Sequence, residues 1–265
     1  MYQIIFSDID GTLINSEYQV SEKTKLAIYN AVKNGKLFVP ISARMPKAIQ
    51  PIIDTIGISS PIISYNGALI QDEDGSVLLS QTMNTELAIE ICQFIANHYE
   101  TVAWNVYSYH KWLAQEQDND WIDREEIIVQ VVPERVSITK LEELPVVHKL
   151  LLMGPPSVIA PLEQILKKSY PSLSIAKSAP FFIEIMADGI EKGQAVAYFA
   201  KKKQIDLVDT VAFGDNYNDL DMLRTVGIGV VMGNAPEDIR KEFDYVTTDN
   251  NHDGIAKALE KLDEE

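Results

Sequence analysis

Residues 3–13 read Gln3-Ile4-Ile5-Phe6-Ser7-Asp8-Ile9-Asp10-Gly11-Thr12-Leu13. A short apolar run ends abruptly in two carboxylates spaced two apart, then a glycine. Runs of that length without polar alternation suit strands buried on both faces, as in a parallel sheet. Similar runs occur at 37–41, 61–65, 208–213, 228–232 and 243–246. Between them the spacing turns helical. Ser21 caps a stretch with Leu26, Tyr29 and Val32 that Gly35 ends, and Pro46 opens another that Gly57 closes. Further helices are expected over 194–203, 219–224 and 255–262. Strand alternating with helix predicts an α/β fold, with a doubly wound, Rossmann-like three-layer core around a parallel sheet.

The middle of the chain departs from this pattern. A helix with Leu87, Ile91, Phe94, Ile95 and His98 on one face precedes adjacent strand-like runs at 102–107 and 111–115. Then come a run at 146–153, a helix after Pro155-Pro156, and two more runs ending at Met186. Adjacent runs predict antiparallel pairing. The expected division is a discontinuous core, 1–83 and 188–265, with an inserted α/β domain over 84–187. Asp72-Glu73-Asp74-Gly75 is placed to turn a hairpin leading into it.

The chain has 265 residues, 39 acidic and 23 basic, for a net charge of −16. Its apolar fraction of 46% is that of a globular chain, so the acid excess is a surface property. A partner with a phosphate backbone or an anionic membrane requires a basic face, so neither nucleic acid nor membrane is the expected partner. A single cysteine, Cys92, excludes an intramolecular disulfide and a multi-Cys zinc site. The N-terminus reaches Asp8 without a basic or long apolar segment, which predicts a cytoplasmic protein.

Polar residues follow four of the apolar runs: Asp8-Ile9-Asp10-Gly11-Thr12, Ser42-Ala43-Arg44, Asn66-Gly67, and Gly214-Asp215-Asn216-Tyr217-Asn218-Asp219. In open parallel sheets ligands bind beyond the carboxyl ends of the strands, so these segments should converge. Several carboxylates in one place repel unless a hard cation joins them. An all-oxygen set suits Mg²⁺ better than zinc, and such a cation also offsets the charge of a phosphate.

Asp8-Ile9-Asp10-Gly11-Thr12-Leu13 resembles the first motif of the haloacid dehalogenase (HAD) phosphatases. Ser42 resembles their second, Lys192-Gly193 their third and the 214–219 segment their fourth. Asn66-Gly67-Ala68, Met232-Gly233-Asn234-Ala235 and Asp253-Gly254-Ile255-Ala256 extend the resemblance to the Cof-type branch, whose large α/β (C2) cap lies between motifs two and three. Ser42-Ala43-Arg44 stands where many members carry Thr-Gly-Arg, a change that keeps the hydroxyl and a small residue.

The resemblance implies a Mg²⁺-dependent phosphomonoester hydrolase for a small phosphorylated metabolite, sugar phosphates first. Asp8 would be the nucleophile forming an aspartyl-phosphate, and Asp10 the general acid and base. Asp8, the Asp10 carbonyl and Asp215 would hold Mg²⁺, with Asp219 in support. Ser42 and the backbone N–H groups of Ile9 and Ala43 would cradle phosphoryl oxygens. Lys192 would neutralise Asp8 and the transferring group; Asn66, with Gly67 beside it, and Asn218 would help hold the phosphate or the nucleophile loop, and Arg44 would either position phosphate or merely pair with a carboxylate. A phosphomutase or phosphotransferase with the same nucleophile, and a non-catalytic phosphometabolite-binding regulator, are the alternatives. The chain is expected as a monomer or weak homo-oligomer.

Other features have simpler explanations. Asp249, Asn251, Asp253, Gly254 and Glu260 fit the spacing of a calcium-binding loop, but a strand-like segment precedes them, so a turn into the last helix is expected. His98, His110 and His148 lack metal-ligand spacing. Trp104, Tyr107, Tyr109, Trp112 and Trp121 suit a domain core or a substrate contact, and Lys149 interrupts an apolar run.

Overall fold

The computed structural model describes residues 2–264. Along the chain run β1 (Ile4–Ser7), α1 (Glu22–Lys33), β2 (Leu37–Pro40), α2 (Pro46–Ile56), β3 (Ile62–Ser64), β4 (Leu69–Gln71), β5 (Val77–Ser80), α3 (Thr85–His98), β6 (Ala103–Ser108), β7 (Lys111–Gln115), α4 (Asp120–Val129), β8 (Glu134–Val136), β9 (Lys149–Met153), α5 (Pro156–Ser169), β10 (Leu173–Ala179) and β11 (Phe182–Ala187). They continue with α6 (Lys192–Lys202), β12 (Thr210–Gly214), α7 (Leu220–Thr225), β13 (Ile228–Val231), α8 (Glu237–Glu242) and α9 (Gly254–Glu264). Contacts divide the chain into two compact units. One combines the residues up to Leu79 with those from Glu191 onward; the other is Ser80–Ile190.

In the first unit β1 is central. It pairs in parallel with β12, Ile4 opposite Thr210, and with β2, Ile4 opposite Leu37, in a sheet ordered β13-β12-β1-β2. A parallel bridging pair, Ile41 with Ile63, leads on to β3. Because successive side chains of a strand face opposite ways, the sheet builds two cores. Ile5, Phe38 and Phe213 pack with Ile28, Ile53 and Ile255 from α1, α2 and α9, while Ile4, Phe6 and Val39 pack with Phe199, Met222 and Ile239 from α6, α7 and α8. Helices on both faces explain why the strands read as unbroken apolar runs. Ser21 Oγ accepts the Thr24 N–H at the start of α1, and Gly57 ends α2 at φ 78°.

The strand expected over 243–246 is reduced to one bridging pair, Val231 with Val246. The Val231 N–H bonds to the Tyr245 carbonyl and the Thr247 N–H to the Val231 carbonyl, each at 2.9 Å, and β13 then turns, the Ala235 N–H bonding to the Met232 carbonyl.

The second unit has a six-stranded sheet, β10-β11-β9-β6-β7-β8, antiparallel except for β7 with β8. One face places Trp104, Val106, Leu150, Leu152, Ile183 and Ile185 against α3 and α5. Cys92 belongs to that core, and burial raises its thiol pKa. The parallel pair differs from the uniform antiparallel expectation because α4 intervenes between β7 and β8, the crossover that parallel pairing requires. Helix α4 left no signal in the apolar pattern: Ile122 is its buried residue, and Asn119 caps it by accepting the Trp121 N–H at 3.0 Å.

Candidate active site

Parallel pairing brings the carboxyl ends of β1, β2, β12 and β13 to one edge of the sheet, and β3 joins them through its bridge to Ile41. Asp8 follows β1, Ser42 follows β2, Asn66 follows β3, Asp215 follows β12 and Asn234 follows β13. The edge is thus built from residues far apart in sequence.

Lys192 is the first residue of α6 and is 1% exposed. Burial and the positive end of the helix dipole both oppose an ammonium there. Two carboxylates compensate: Nζ donates to Asp8 Oδ1 and to Asp219 Oδ1, each at 2.6 Å. Burial works against the charge on Lys192, but Asp219 and Asp8 outweigh it and its pKa rises above the ordinary 10.5. Asp219 is itself fixed, its Oδ2 accepting the backbone N–H groups of Asp215 and Asn216 at 3.0 Å.

Asp215 lies opposite the Asp8 turn. Its Oδ1 accepts from Thr12 Oγ1 at 2.8 Å, and its Oδ2 from Asn234 Nδ2 at 3.2 Å. The same Asn234 amide donates to the Gly11 carbonyl at 2.8 Å, tying the turn after β1 to the loop after β13. Gly11 has φ 85°, and a Cβ on it would come within 2.4 Å of Asp215 Oδ2, so the turn admits only glycine. Desolvation raises the Asp215 pKa to about 6; the Thr12 bond opposes the rise, and the charges of Asp219 and Asp10 add to it.

Asp8, Asp215 and Asp219 each offer a carboxylate oxygen, all within 4.8 Å of one another. Burial pushes Asp8 well above the usual carboxylate range; Lys192 opposes this, and Asp219, Asp10 and Asp215 reinforce it. Four carboxylates here face two cations, Lys192 and Arg44, so the site carries excess negative charge. A hard, all-oxygen donor set with that excess fits a divalent cation.

The second carboxylate of the first motif points elsewhere. Asp10 is held by Arg44 through two hydrogen bonds, Nε to Oδ2 at 2.8 Å and Nη2 to Oδ1 at 2.6 Å. Arg44 N–H in turn donates to Ser42 Oγ at 3.1 Å. The Tyr65 and Asn66 N–H groups bond to the Arg44 and Ser42 carbonyls at 3.2 and 2.9 Å. Tyr65, Asn66 and Gly67 all have positive φ, and a Cβ on Gly67 would meet Ala195 of α6 at 2.7 Å. That loop therefore links the Ser42–Arg44 segment to the helix that carries Lys192.

Ile9 is buried beside Asp8, Ala43 lies between Ser42 and Arg44, and Asn218 is exposed on the loop after β12. Sequence reasoning assigned no role to Thr12 or Asn216, and none to Asn234, although Asn234 follows a predicted strand as the other site residues do. The calcium-loop pattern dissolves into separate contacts: Asp249 accepts the Asn251 N–H at 2.9 Å, Asp253 accepts from Ser21 Oγ at 2.6 Å, and Glu260 lies within α9.

A family model for haloacid dehalogenase-like hydrolases matches residues 5–259. A Haemophilus influenzae relative, named provisionally as a phosphatase, is 35% identical over 268 residues, covering 98% of each chain. A Thermotoga maritima crystal structure superposes with a TM-score of 0.88 at 29% identity, covering 98% of this chain and 97% of that one. A HAD subclass IIB sugar phosphatase superposes with a TM-score of 0.83 at 25% identity, covering 98% of each chain. Among the described residues no helix is long and apolar enough to cross a membrane. The chain belongs to the haloacid dehalogenase-like hydrolases and, within them, to the Cof-type phosphatases.

Proposed function

We propose that the protein is a Mg²⁺-dependent phosphomonoester hydrolase, acting on a small phosphorylated metabolite through an aspartyl-phosphate. Its core would be the first unit, with the unit Ser80–Ile190 in the role of cap. The observation that carries this reading is the buried Lys192 held between Asp8 and Asp219, a costly arrangement that a merely structural helix start does not need.

Asp8 is the nucleophile. Its carboxylate attacks phosphorus and the ester alcohol leaves, dividing one difficult hydrolysis into two steps. Asp10 gives a proton to the departing oxygen, then takes one from the water that attacks the aspartyl-phosphate. Lys192 opposes the burial that disfavours the Asp8 carboxylate and faces the charge that gathers on the phosphoryl oxygens. The Ser42 hydroxyl and the N–H groups of Ile9 and Ala43 serve those oxygens, with Asn66, Gly67 and Asn218 bordering them. Bound at Asp8, the Asp10 carbonyl and Asp215, Mg²⁺ would neutralise the excess carboxylate charge and polarise the phosphoryl group. Asp219, whose oxygens already accept three hydrogen bonds, orients the loop after β12.

The related sugar phosphatase favours sugar phosphates as the substrate class. The acid excess accords with a protein that engages no nucleic acid or anionic membrane. The test is a panel of phosphorylated sugars and other metabolites with and without Mg²⁺. Free phosphate released only with the metal supports the reading. An isomeric phosphate ester as the main product overturns it in favour of phosphoryl transfer, and absence of turnover on every ester overturns it altogether.

A further inference from the structure

Asp8 and Asp10 lie two residues apart, yet each has its own cation. Lys192 holds Asp8 at 2.6 Å as a point charge, whereas Arg44 holds Asp10 through two bonds of 2.6 and 2.8 Å. The Asp10 side chain is 51% exposed and precedes a glycine, so alone it would sample several rotamers in water. The Arg44 side chain is only 10% exposed, and its backbone is tied on both sides, by Ser42 Oγ and by the Tyr65 N–H. A rigid fork on an anchored backbone fixes the plane of the carboxylate as well as its distance.

We infer that Arg44 is the positioning residue of Asp10 and not a phosphate ligand. The inference rests on the phosphatase reading above. Asp10 fills the Nε–Nη2 edge of the guanidinium, one of the two edges with which an arginine clasps an oxyanion. Each carboxylate oxygen of Asp10 keeps a second lone pair, where the transferred proton sits. As acid, Asp10 gives that proton to the ester oxygen while the P–O bond breaks and the alcohol leaves. As base, the resulting carboxylate takes a proton from water as the water oxygen bonds to phosphorus, and the bond from phosphorus to Asp8 breaks to release phosphate. Both steps need Asp10 in one place, and effective concentration is lost if it swings into solvent.

The test compares kcat/KM for an alkyl phosphate, whose leaving group needs a proton, with that for p-nitrophenyl phosphate, whose leaving group needs little help. Arg44→Ala should lower the first by about 100-fold and the second far less. Inhibition by inorganic phosphate should stay within about twofold, and the substitution should have no further effect in an Asp10→Asn background. Arg44→Lys, run beside it, guards against misfolding of the Ala variant: it keeps the charge without the fork and should shift the ratio of the two esters in the same direction. Equal losses on both esters with weaker phosphate inhibition would make Arg44 a phosphate ligand and overturn the inference, as would undiminished effects in the Asp10→Asn background. A wild-type protein inactive on every ester removes the phosphatase reading, and this inference with it.

Discussion

Lys192, at the start of α6, bonds through Nζ to Asp8, at the end of β1, across 184 residues of sequence at 2.6 Å. Replacing Asp8 by Asn keeps the shape and one acceptor but removes the charge of the proposed nucleophile. The Asp8→Asn variant should fold, with a melting temperature near the wild type's, and lose p-nitrophenyl phosphate hydrolysis by at least about 10³-fold. Retained metal-dependent turnover would show that Asp8 is not the nucleophile.

Lys192→Met removes the cation and leaves Asp8 and Asp219 buried side by side. Breaking a buried pair from one side costs about 3–5 kcal/mol, so urea unfolding should show a loss of that order together with loss of turnover. A variant as stable as wild type would mean that water already screens this cluster.

Asp215 sets a pH dependence. Its folded pKa, near 6, lies above the ordinary 3.8, so the folded site holds a proton that the unfolded chain releases. Stability of the metal-free protein should therefore fall as pH rises from about 4 through 6, and metal affinity should weaken as pH falls through 6. Asp215→Asn should raise the metal-free melting temperature by about 3–5 °C at pH 7.5 and by much less at pH 4.5. Equal effects at both pH values would count against the raised pKa.

Asn234 holds Asp215 and the Gly11 carbonyl with one amide, while its Oδ1 accepts the Asn250 N–H at 3.2 Å, which fixes the amide's orientation. Loss of such an outer partner weakens metal affinity by about 10–100-fold. Asn234→Ala should show this in a calorimetric Mg²⁺ titration, without any assay of activity.

In the second unit His148 Nδ1 accepts the Tyr109 N–H at 3.2 Å, so the neutral ring carries its proton on Nε2, which faces Ser80 Oγ at 3.1 Å. Burial lowers its pKa to about 4. The unfolded chain binds the proton first, so the stability this ring contributes is complete above about pH 6.5 and lost as pH falls toward 4. Melting of a His148→Gln variant should depend less on pH across that window than melting of the wild type.

The core was legible in the sequence because its strands are covered on both faces. Ile4, Ile5 and Phe6 are all buried, and such runs announce themselves. The candidate site was legible for the same reason: Asp8, Ser42, Asn66 and Asp215 follow directly on such runs. What escaped depends on partners distant in the chain. Nothing local tells that Asn234 reaches Gly11, or which carboxylate Arg44 turns to. Helix α4 escaped because a helix that buries little besides Ile122 leaves no stripe to read.

The central strand has a consequence for the order in which the molecule is made. β1 is made before its partner: Ile4 pairs with Thr210 and Ser7 with Phe213, so one edge of β1 waits until β12 has been synthesised. The unit Ser80–Ile190 is continuous and can fold while translation proceeds; the other unit cannot close until its second segment emerges. Asp8 therefore meets Lys192 only after the whole of the unit between them has been made.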